Sequence, residues 1–114
     1  MTNTTDIIRT HNDQFRQGHG SIQGMITITS GIAALLEQHG SDPLTIIRTV
    51  QTFDTFTEEN DPHGEHDFGA FEAFGQKCFW KIDLYNQTLD AFTPDPTDPQ
   101  RTHRVLTIML ASEY

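Results

Sequence analysis

The chain has 114 residues, a length that allows one compact domain over residues 1–114 and leaves no room for a second core. Seven basic and sixteen acidic residues give a formal net charge of −9, with the six histidines counted as neutral. This balance argues against a surface that neutralises nucleic-acid phosphates or docks on an anionic membrane. Eight Phe, two Tyr and one Trp can fill a core, so we expect a folded protein.

Cysteine use and the first residues of the chain predict the compartment. The single cysteine, Cys78, cannot form an intramolecular disulfide, and residues 1–6 lack both the basic residue and the apolar run of a secretion signal. No stretch approaches the roughly eighteen consecutive apolar residues that a membrane-spanning helix needs. We therefore expect a cytoplasmic protein without membrane contact.

The acidity is concentrated in one part of the chain. Residues 1–53 hold four acidic and three basic residues, a net charge of −1, whereas residues 54–98 hold eleven acidic and two basic residues, a net charge of −9. Residues 99–114 hold one acidic and two basic residues, a net charge of +1. Residues 54–98, hereafter the acidic segment, therefore carry the whole net charge.

The N-terminal residues predict a helix followed by a strand. A helix that begins with Thr4 or Thr5 as its cap and ends at Gly18 has apolar positions spaced by one, three and four residues. Its apolar side is formed by Ile7, Ile8, His11 and Phe15. Residues 22–29 then alternate in side-chain character and are rich in β-branched residues, a pattern typical of a strand.

Two further helices are predicted before the acidic segment. A short one starts at Ser30 and is stopped by Gly40, which suits the left-handed conformation after a helix end. The pair Asp42-Pro43 combines a capping side chain with proline at the first helical position. It predicts a third helix that runs to about Phe53.

The second half of the chain predicts a β-hairpin over residues 68–85. A type II′ turn at Gly75-Gln76, with glycine in the first position, pairs Phe74 with Lys77. In this register the apolar residues of both strands share one face, whereas a slip of one residue would divide them between faces. The predicted core face consists of Phe71, Ala73, Cys78, Trp80, Ile82 and Leu84.

The last residues predict a connector and a C-terminal helix. Residues 93–99 contain three prolines and are expected to be extended, and Asp98-Pro99 repeats the combination of cap and proline. The predicted helix buries Val105, Leu106, Ile108 and Met109. Arg101 and Arg104 are expected either to face solvent on one side of this helix or to pair with acidic residues of the connector.

These elements together predict an α+β fold. A small antiparallel sheet, made of strand 22–29 and hairpin 68–85, is expected to pack against the helices, including the C-terminal one.

One stretch, residues 60–69, concentrates side chains that could carry chemistry. It contains two histidines, two aspartates and a glutamate, which are donors for zinc and other transition metals. The spacing of His63 and His66 is compatible with shared ligation but matches no zinc signature. The sequences Asn-Asp-Pro and His-Gly-Glu suit a turn-forming loop equally well.

The predicted hairpin also suggests an alternative function. Its register brings His66 near Asp83, as in a general base oriented by a carboxylate. The resulting hypothesis is a small enzyme that depends on a ligand or on a metal. If it depends on a metal, the cofactor would be a divalent metal ion. Its pocket would use Glu65, His66, Asp67 and Asp83. No nucleophile is evident because Cys78 lies on the core face, and no nucleotide-binding loop is present.

Four blocks of sequence resemble a known family. They are residues 60–69, 80–83, 95–99 and 104–111. In these blocks the chain resembles an uncharacterised bacterial family, a domain of unknown function, of short acidic proteins often encoded on plasmids and other mobile elements. The resemblance covers nearly the whole chain from about Asp6, and the family carries no established activity.

The resemblance and the charge together suggest a binding function. Small acidic proteins of mobile elements include antirestriction and anti-CRISPR inhibitors, several of which mimic DNA with carboxylates at phosphate-like spacing. We therefore expect a non-catalytic protein without a cofactor that binds the basic surface of a host nucleic-acid-handling defence complex and does not itself bind nucleic acid. The predicted contact residues are Asp54, Glu58, Glu59, Asp61, Glu65, Asp67, Glu72, Asp95 and Asp98. We expect a monomer or homodimer, and a third hypothesis is an oligomeric structural protein with an exposed strand face as its interface.

Overall fold

The computed structural model describes residues 3–114, so Met1 and Thr2 of the predicted domain lie outside it. The described chain contains three α-helices, four strands and a final 3-10 turn, and it confirms the α+β class. The elements are α1 (Thr4–Gln17), β1 (Gly24–Ile28), α2 (Ser30–Gln38), α3 (Pro43–Gln51), β2 (Phe68–Ala73), β3 (Gln76–Tyr85), β4 (His103–Leu110) and the 3-10 turn (Ala111–Glu113).

Local capping explains where the helices begin and end. The Asn3 side chain caps α1 by accepting a 2.8 Å hydrogen bond from the Asp6 amide, so the cap precedes the predicted threonines by one residue. Gly18 ends α1 with a φ of 76°, which glycine adopts without steric cost. Asp42 caps α3 as predicted, with Pro43 in the first turn.

The sheet is mixed, and the predicted antiparallel sheet is therefore only partly correct. Its strand order is β1-β4-β3-β2. Strands β2, β3 and β4 are antiparallel neighbours, whereas β1 runs parallel to β4 at one edge. The parallel pair arises because β4 occupies a position in the centre of the sheet that the predicted topology lacks.

The predicted C-terminal helix is wrong, because residues 103–110 form strand β4. Side chains along β4 alternate in burial, with Arg104, Leu106 and Ile108 fully enclosed. Met109, on the opposite side, is also buried. Val105 and Thr107 on that second side are half-buried, so apolar side chains occur on both faces of β4 and form a nearly continuous apolar run, which spacing alone does not distinguish from a helix. The Asp98 side chain accepts a hydrogen bond from Gln100 N in a turn and starts no helix.

The hairpin forms with a register shifted by two residues from the predicted one. Its turn is Phe74-Gly75, with φ of 53° and 76°, as a type I′ turn requires. Gly69 therefore lies opposite Trp80, where any Cβ would collide with the indole. A shift of two preserves the face of each side chain, so the predicted core face is confirmed: Cys78, Trp80, Ile82 and Leu84 are buried, and Phe71 and Ala73 pack against them.

Candidate functional site

A cleft opens beside the C-terminal half of β3. Strand β2 begins only at Phe68, so the preceding loop covers this part of β3, and Ile82 N donates to Asp67 O at 2.9 Å. We call this loop, residues 57–67, the acidic loop. On the other side the chain returns as an isolated bridge between Tyr85 and Phe92. The cleft, of about 310 Å³, is lined by Ile8, Glu65, Asp67, Ile82, Asp83, Leu84, Tyr85, Phe92 and Pro96. We call it the acidic cleft.

Burial and mutual repulsion disfavour the ionised form of the carboxyl groups of Glu65 and Asp67 in the acidic cleft. Partial burial and the neighbouring Asp67 carboxylate raise the pKa of Glu65. Burial, followed by the charges of Asp61 and Asp83, raises the pKa of Asp67. Within residues 3–114, neither Glu65 nor Asp67 takes part in an ion pair, whereas Asp83 pairs with Lys81 at 3.0 Å. Two of the cleft carboxylates, Glu65 and Asp67, therefore repel each other without an ion-pair partner among the described residues, whereas the third, Asp83, has one in Lys81.

His66 faces a different recess and does not approach Asp83 as the sequence suggested. Its Nδ1 lies 2.9 Å from Asp13 Oδ1, and its ring stacks on Phe56 with centroids 3.7 Å apart. The Asp61 carboxylate accepts from the His66 amide, at 3.2 Å for Oδ1. His66 therefore fastens the acidic loop to α1 and is not part of the acidic cleft.

A buried arginine supports this anchor. Arg16 is 1% exposed and donates to the carbonyl oxygens of Val50 and Phe53, at 2.9 and 2.8 Å, where α3 ends. It also donates to Asp13 Oδ1 at 3.2 Å. Its guanidinium lies 5.3 Å from the centre of the Trp80 ring system. The arginine thus connects α1, the end of α3 and the sheet.

Arg104 lies beneath the acidic loop, so the prediction that it faces solvent or pairs with acidic residues of the connector is wrong. It is fully buried, and its Nε donates to Asn12 Oδ1 at 2.8 Å. Asn12 Nδ2 in turn donates to Glu65 O at 2.9 Å, so the Glu65 backbone is fixed from below. Burial lowers the pKa of Arg104 to about 10. Burial and the charge of Arg104 also lower the pKa of His11.

The α1 residues that hold the acidic loop are polar and follow helical spacing, so apolar periodicity does not identify them. Arg9, Asn12, Asp13 and Arg16 are spaced by three, one and three residues along α1. Such spacing places them on one side of the helix. Arg9 Nη1 adds a 3.0 Å bond to Gly64 O. A polar stripe of this kind on an otherwise amphipathic helix indicates a second, polar packing surface.

The remaining predicted contact residues are spread over several surfaces. Asp54, Glu58, Glu59 and Glu72 are exposed, and none of them forms an ion pair in the described part of the chain. Asp61 is buried. Asp95 and Asp98 accept backbone hydrogen bonds from Thr97 and Gln100 in connector turns. Those turns give both residues a structural role.

The alternative metal site has no matching geometry among residues 3–114. Within this range, no group of three or more His, Cys, Asp and Glu side chains could hold a metal ion. Glu65, Asp67 and Asp83 share the acidic cleft, whereas His66 contacts Asp13. The same described range contains no helix that is long and apolar enough to cross a membrane.

Comparison with protein families adds one result. Residues 28–113 match the model of the family described as protein of unknown function (DUF3768). The chain belongs to this family. The DUF3768 match confirms the predicted resemblance to an uncharacterised family. It covers the acidic loop, β4 and every lining residue of the acidic cleft except Ile8. It begins after most of β1, so α1 with its polar stripe lies outside the matched range. Comparisons with curated proteins and with solved structures found no match.

Proposed function

We propose that this protein is a non-catalytic acidic binding protein that engages a basic surface of a partner protein in the cytoplasm. The observation that carries the proposal is the acidic cleft, where Glu65 and Asp67 repel each other and form no ion pair with any residue that the structure describes. A lysine or arginine side chain of the partner would supply the missing charge.

The lining of the acidic cleft suits an organic cation. Tyr85 and Phe92 stand beside the carboxylates, and Phe92 is 67% exposed. Aromatic faces attract ammonium and guanidinium groups, and this attraction adds to the ionic one. The cleft combines both contributions within about 310 Å³, a volume that can admit a long basic side chain.

The exposed carboxylates elsewhere on the acidic segment would assist by long-range attraction. Asp54, Glu58, Glu59 and Glu72 project from the acidic segment without ion pairs in the described residues. Complementary charge raises association rates and is screened by salt. We therefore expect these residues to steer the partner and the cleft residues to hold it.

The proposed partner is a host nucleic-acid-handling defence complex, such as a CRISPR effector or a restriction enzyme. The sequence resemblance to proteins of mobile elements supports this choice, as does a net charge of −9 located within residues 54–98. A surface that binds nucleic-acid phosphates is basic, so an acidic protein can occupy it. Inhibition would follow from competition with the nucleic acid.

A plasmid-transformation assay tests the proposal. Cells with an active restriction or CRISPR system are transformed with a targeted plasmid, with and without this protein. We expect rescue of transformation by the wild-type protein, loss of rescue with Glu65→Gln/Asp67→Asn, and a partial loss with Glu58→Lys/Glu59→Lys. Glu37→Lys, a charge reversal at an exposed residue outside the acidic segment, is the matched control and should retain rescue.

Two results would contradict the proposal. One is rescue that survives all the charge changes in the acidic segment. The other is a purified complex whose dissociation constant does not rise between low and high salt, since an interface based on carboxylates must be weakened by screening. Asp61 is left unchanged in these variants because its carboxylate supports the loop.

The alternative enzyme hypothesis retains one supporting observation. Glu65 and Asp67 have raised pKa values in a cleft, as carboxyl groups that act as general acids often do. The variant His66→Ala separates the two hypotheses. Because His66 contacts Asp13 outside the cleft, an acidic binding protein should keep its inhibition. An enzyme that uses His66 should lose its activity. A metal-binding protein that uses His66 should no longer show a change in melting temperature when zinc or manganese is added.

A further inference from the structure

One part of this acidic chain contains no charged residue. Residues 17–36 have no Asp, Glu, Lys or Arg, although the whole chain has a net charge of −9. We call this stretch the uncharged segment. It includes all of β1 and most of α2, so an entire edge of the sheet is without charge.

Among residues 3–114, the backbone of β1 pairs with another strand on one side only. Gln23 O accepts from Arg104 N at 3.3 Å, and Thr29 N donates to Ile108 O at 3.1 Å, so odd-numbered residues direct their backbone groups towards β4. Backbone groups alternate in direction along a strand. The N–H and C=O groups of Gly24, Ile26 and Ile28 therefore point away from the sheet and are available to another strand.

This edge lacks the usual protection against pairing. Exposed edge strands commonly carry lysine, inward-pointing charges, proline or a bulge that prevents association. Strand β1 contains no charged residue and no proline, and it pairs with β4 in continuous register from Gly24 to Ile28. Met25 and Ile26, on opposite faces, are 40% and 38% exposed. The outer edge of β1 therefore has backbone groups available for pairing and side chains that do not oppose it.

We propose that β1 pairs with β1 of a second copy of this chain, antiparallel about a two-fold axis at Ile26. In this arrangement Ile26 lies opposite Ile26, and Gly24 of each copy lies opposite Ile28 of the other. Identical strands paired in this way are self-complementary, as a two-fold interface requires. The outward backbone groups of all three residues then become hydrogen-bonded.

Charge favours a second copy at this edge. Two chains with a net charge of −9 repel each other, so a contact between copies is least opposed where neither copy carries charge. The acidic segment supplies β2 at the opposite edge of the sheet, as far from the contact as the strand order allows. A basic partner, in contrast, would be drawn to the acidic segment.

Pairing through β1 leaves both acidic clefts open. The combined sheet has the order β2-β3-β4-β1-β1-β4-β3-β2, and its two β3 strands are five strand spacings apart, about 24 Å. The proposed dimer is therefore independent of the proposed function, and an experiment can contradict either proposal without contradicting the other.

Molar mass in solution tests the proposal. Light scattering after size exclusion, over a range of loading concentrations, should give twice the chain mass of 12.9 kDa for the wild type. Ile26→Lys places two lysines opposite each other and should raise the dissociation constant by at least about tenfold. Ile26→Pro removes an outward N–H that β4 does not use and should have the same effect. Circular dichroism and thermal melting establish that both variants are folded.

Leu44→Lys is the matched control, because Leu44 is a 52% exposed apolar residue on α3. It should leave the dimer unchanged. Amide hydrogen exchange at Gly24, Ile26 and Ile28 should slow as the protein concentration rises. The proposal is overturned by a wild-type protein that is monomeric throughout, by a dimer that survives both Ile26 changes, by equal weakening with Leu44→Lys, or by exchange at Ile26 that stays fast in the dimer.

Discussion

The acidic segment and the uncharged segment occupy opposite edges of one four-stranded sheet. The first supplies β2, β3 and the acidic cleft, whereas the second supplies β1 and most of α2. The chain thus separates its charge along the sheet. This separation gives the two edges different contacts: charge attraction to a basic partner at one edge, and backbone pairing at the other.

The two segments are also held to the rest of the molecule in different ways. The uncharged segment is held by the β1–β4 ladder and by the buried side chains of α2, including Ile32 and Leu36. The loop of the acidic segment has few apolar residues, so the polar stripe of α1 fastens it through Arg9, Asn12 and Asp13. An acidic loop stays ordered here because another element provides its hydrogen bonds.

The largest expected effect comes from removing Arg16, which orders the start of the acidic segment. Arg16→Met removes a buried donor to the Val50 and Phe53 carbonyl oxygens and to Asp13, and should lower the free energy of unfolding by about 3 kcal/mol. Urea denaturation measures the change. Arg48→Met, at an exposed position of α3, should stay within about 0.5 kcal/mol of wild type. Equal losses would show that Arg16 is not an anchor.

Gly24→Ala tests the attachment of the uncharged segment. A Cβ at Gly24 would collide with the Arg104 carbonyl oxygen and the Phe15 ring, so β1 must shift. We expect the free energy of unfolding to fall by about 2 kcal/mol. Gly40→Ala has open space and only an unfavourable φ of +60°, and should cost about 1 kcal/mol. If Gly24→Ala proves as stable as wild type by urea denaturation, the close β1–β4 contact is wrong.

His66→Ala should have a smaller effect, because His66 is partly exposed. The change removes the contact with Asp13 and the stacking on Phe56. We expect the free energy of unfolding, measured by thermal melting, to fall by about 1 kcal/mol. Amide exchange should become faster in the loop and remain unchanged in β1. Faster exchange in β1 would show that the two edges are not independent.

The smallest effect is a change in the pH dependence of stability. Because the folded protein raises the pKa of Glu65 and Asp67, it binds their protons more tightly than the unfolded chain does. Stability should therefore fall as pH rises from their ordinary values through the raised ones. Glu65→Gln/Asp67→Asn should melt above wild type at pH 7, with a difference that shrinks in acid. A lower melting temperature at pH 7 would contradict the repulsion in the cleft.

Local patterns were sufficient to predict several features of the fold. Apolar spacing and caps predicted the three helices, and the cap at Asp42 with Pro43 matches the structure. The core face of the hairpin was predicted correctly despite a register error of two residues, because side chains on a strand repeat every two residues. Of the predicted pocket residues, Glu65, Asp67 and Asp83 line one cleft, whereas His66 lies outside it.

Other features depended on contacts between residues far apart in the sequence. Residues 103–110 form a strand because β1 and β3 pair with them on either edge, which the spacing of Val105 to Met109 does not reveal. The partner of His66 is Asp13, 53 residues earlier, and that of Arg104 is Asn12, 92 residues earlier. The sequence by itself determined which faces are apolar and where charge is concentrated, because these follow from local periodicity and composition. Only the tertiary structure decided which polar groups meet, since hydrogen-bond partners are selected by packing between distant elements.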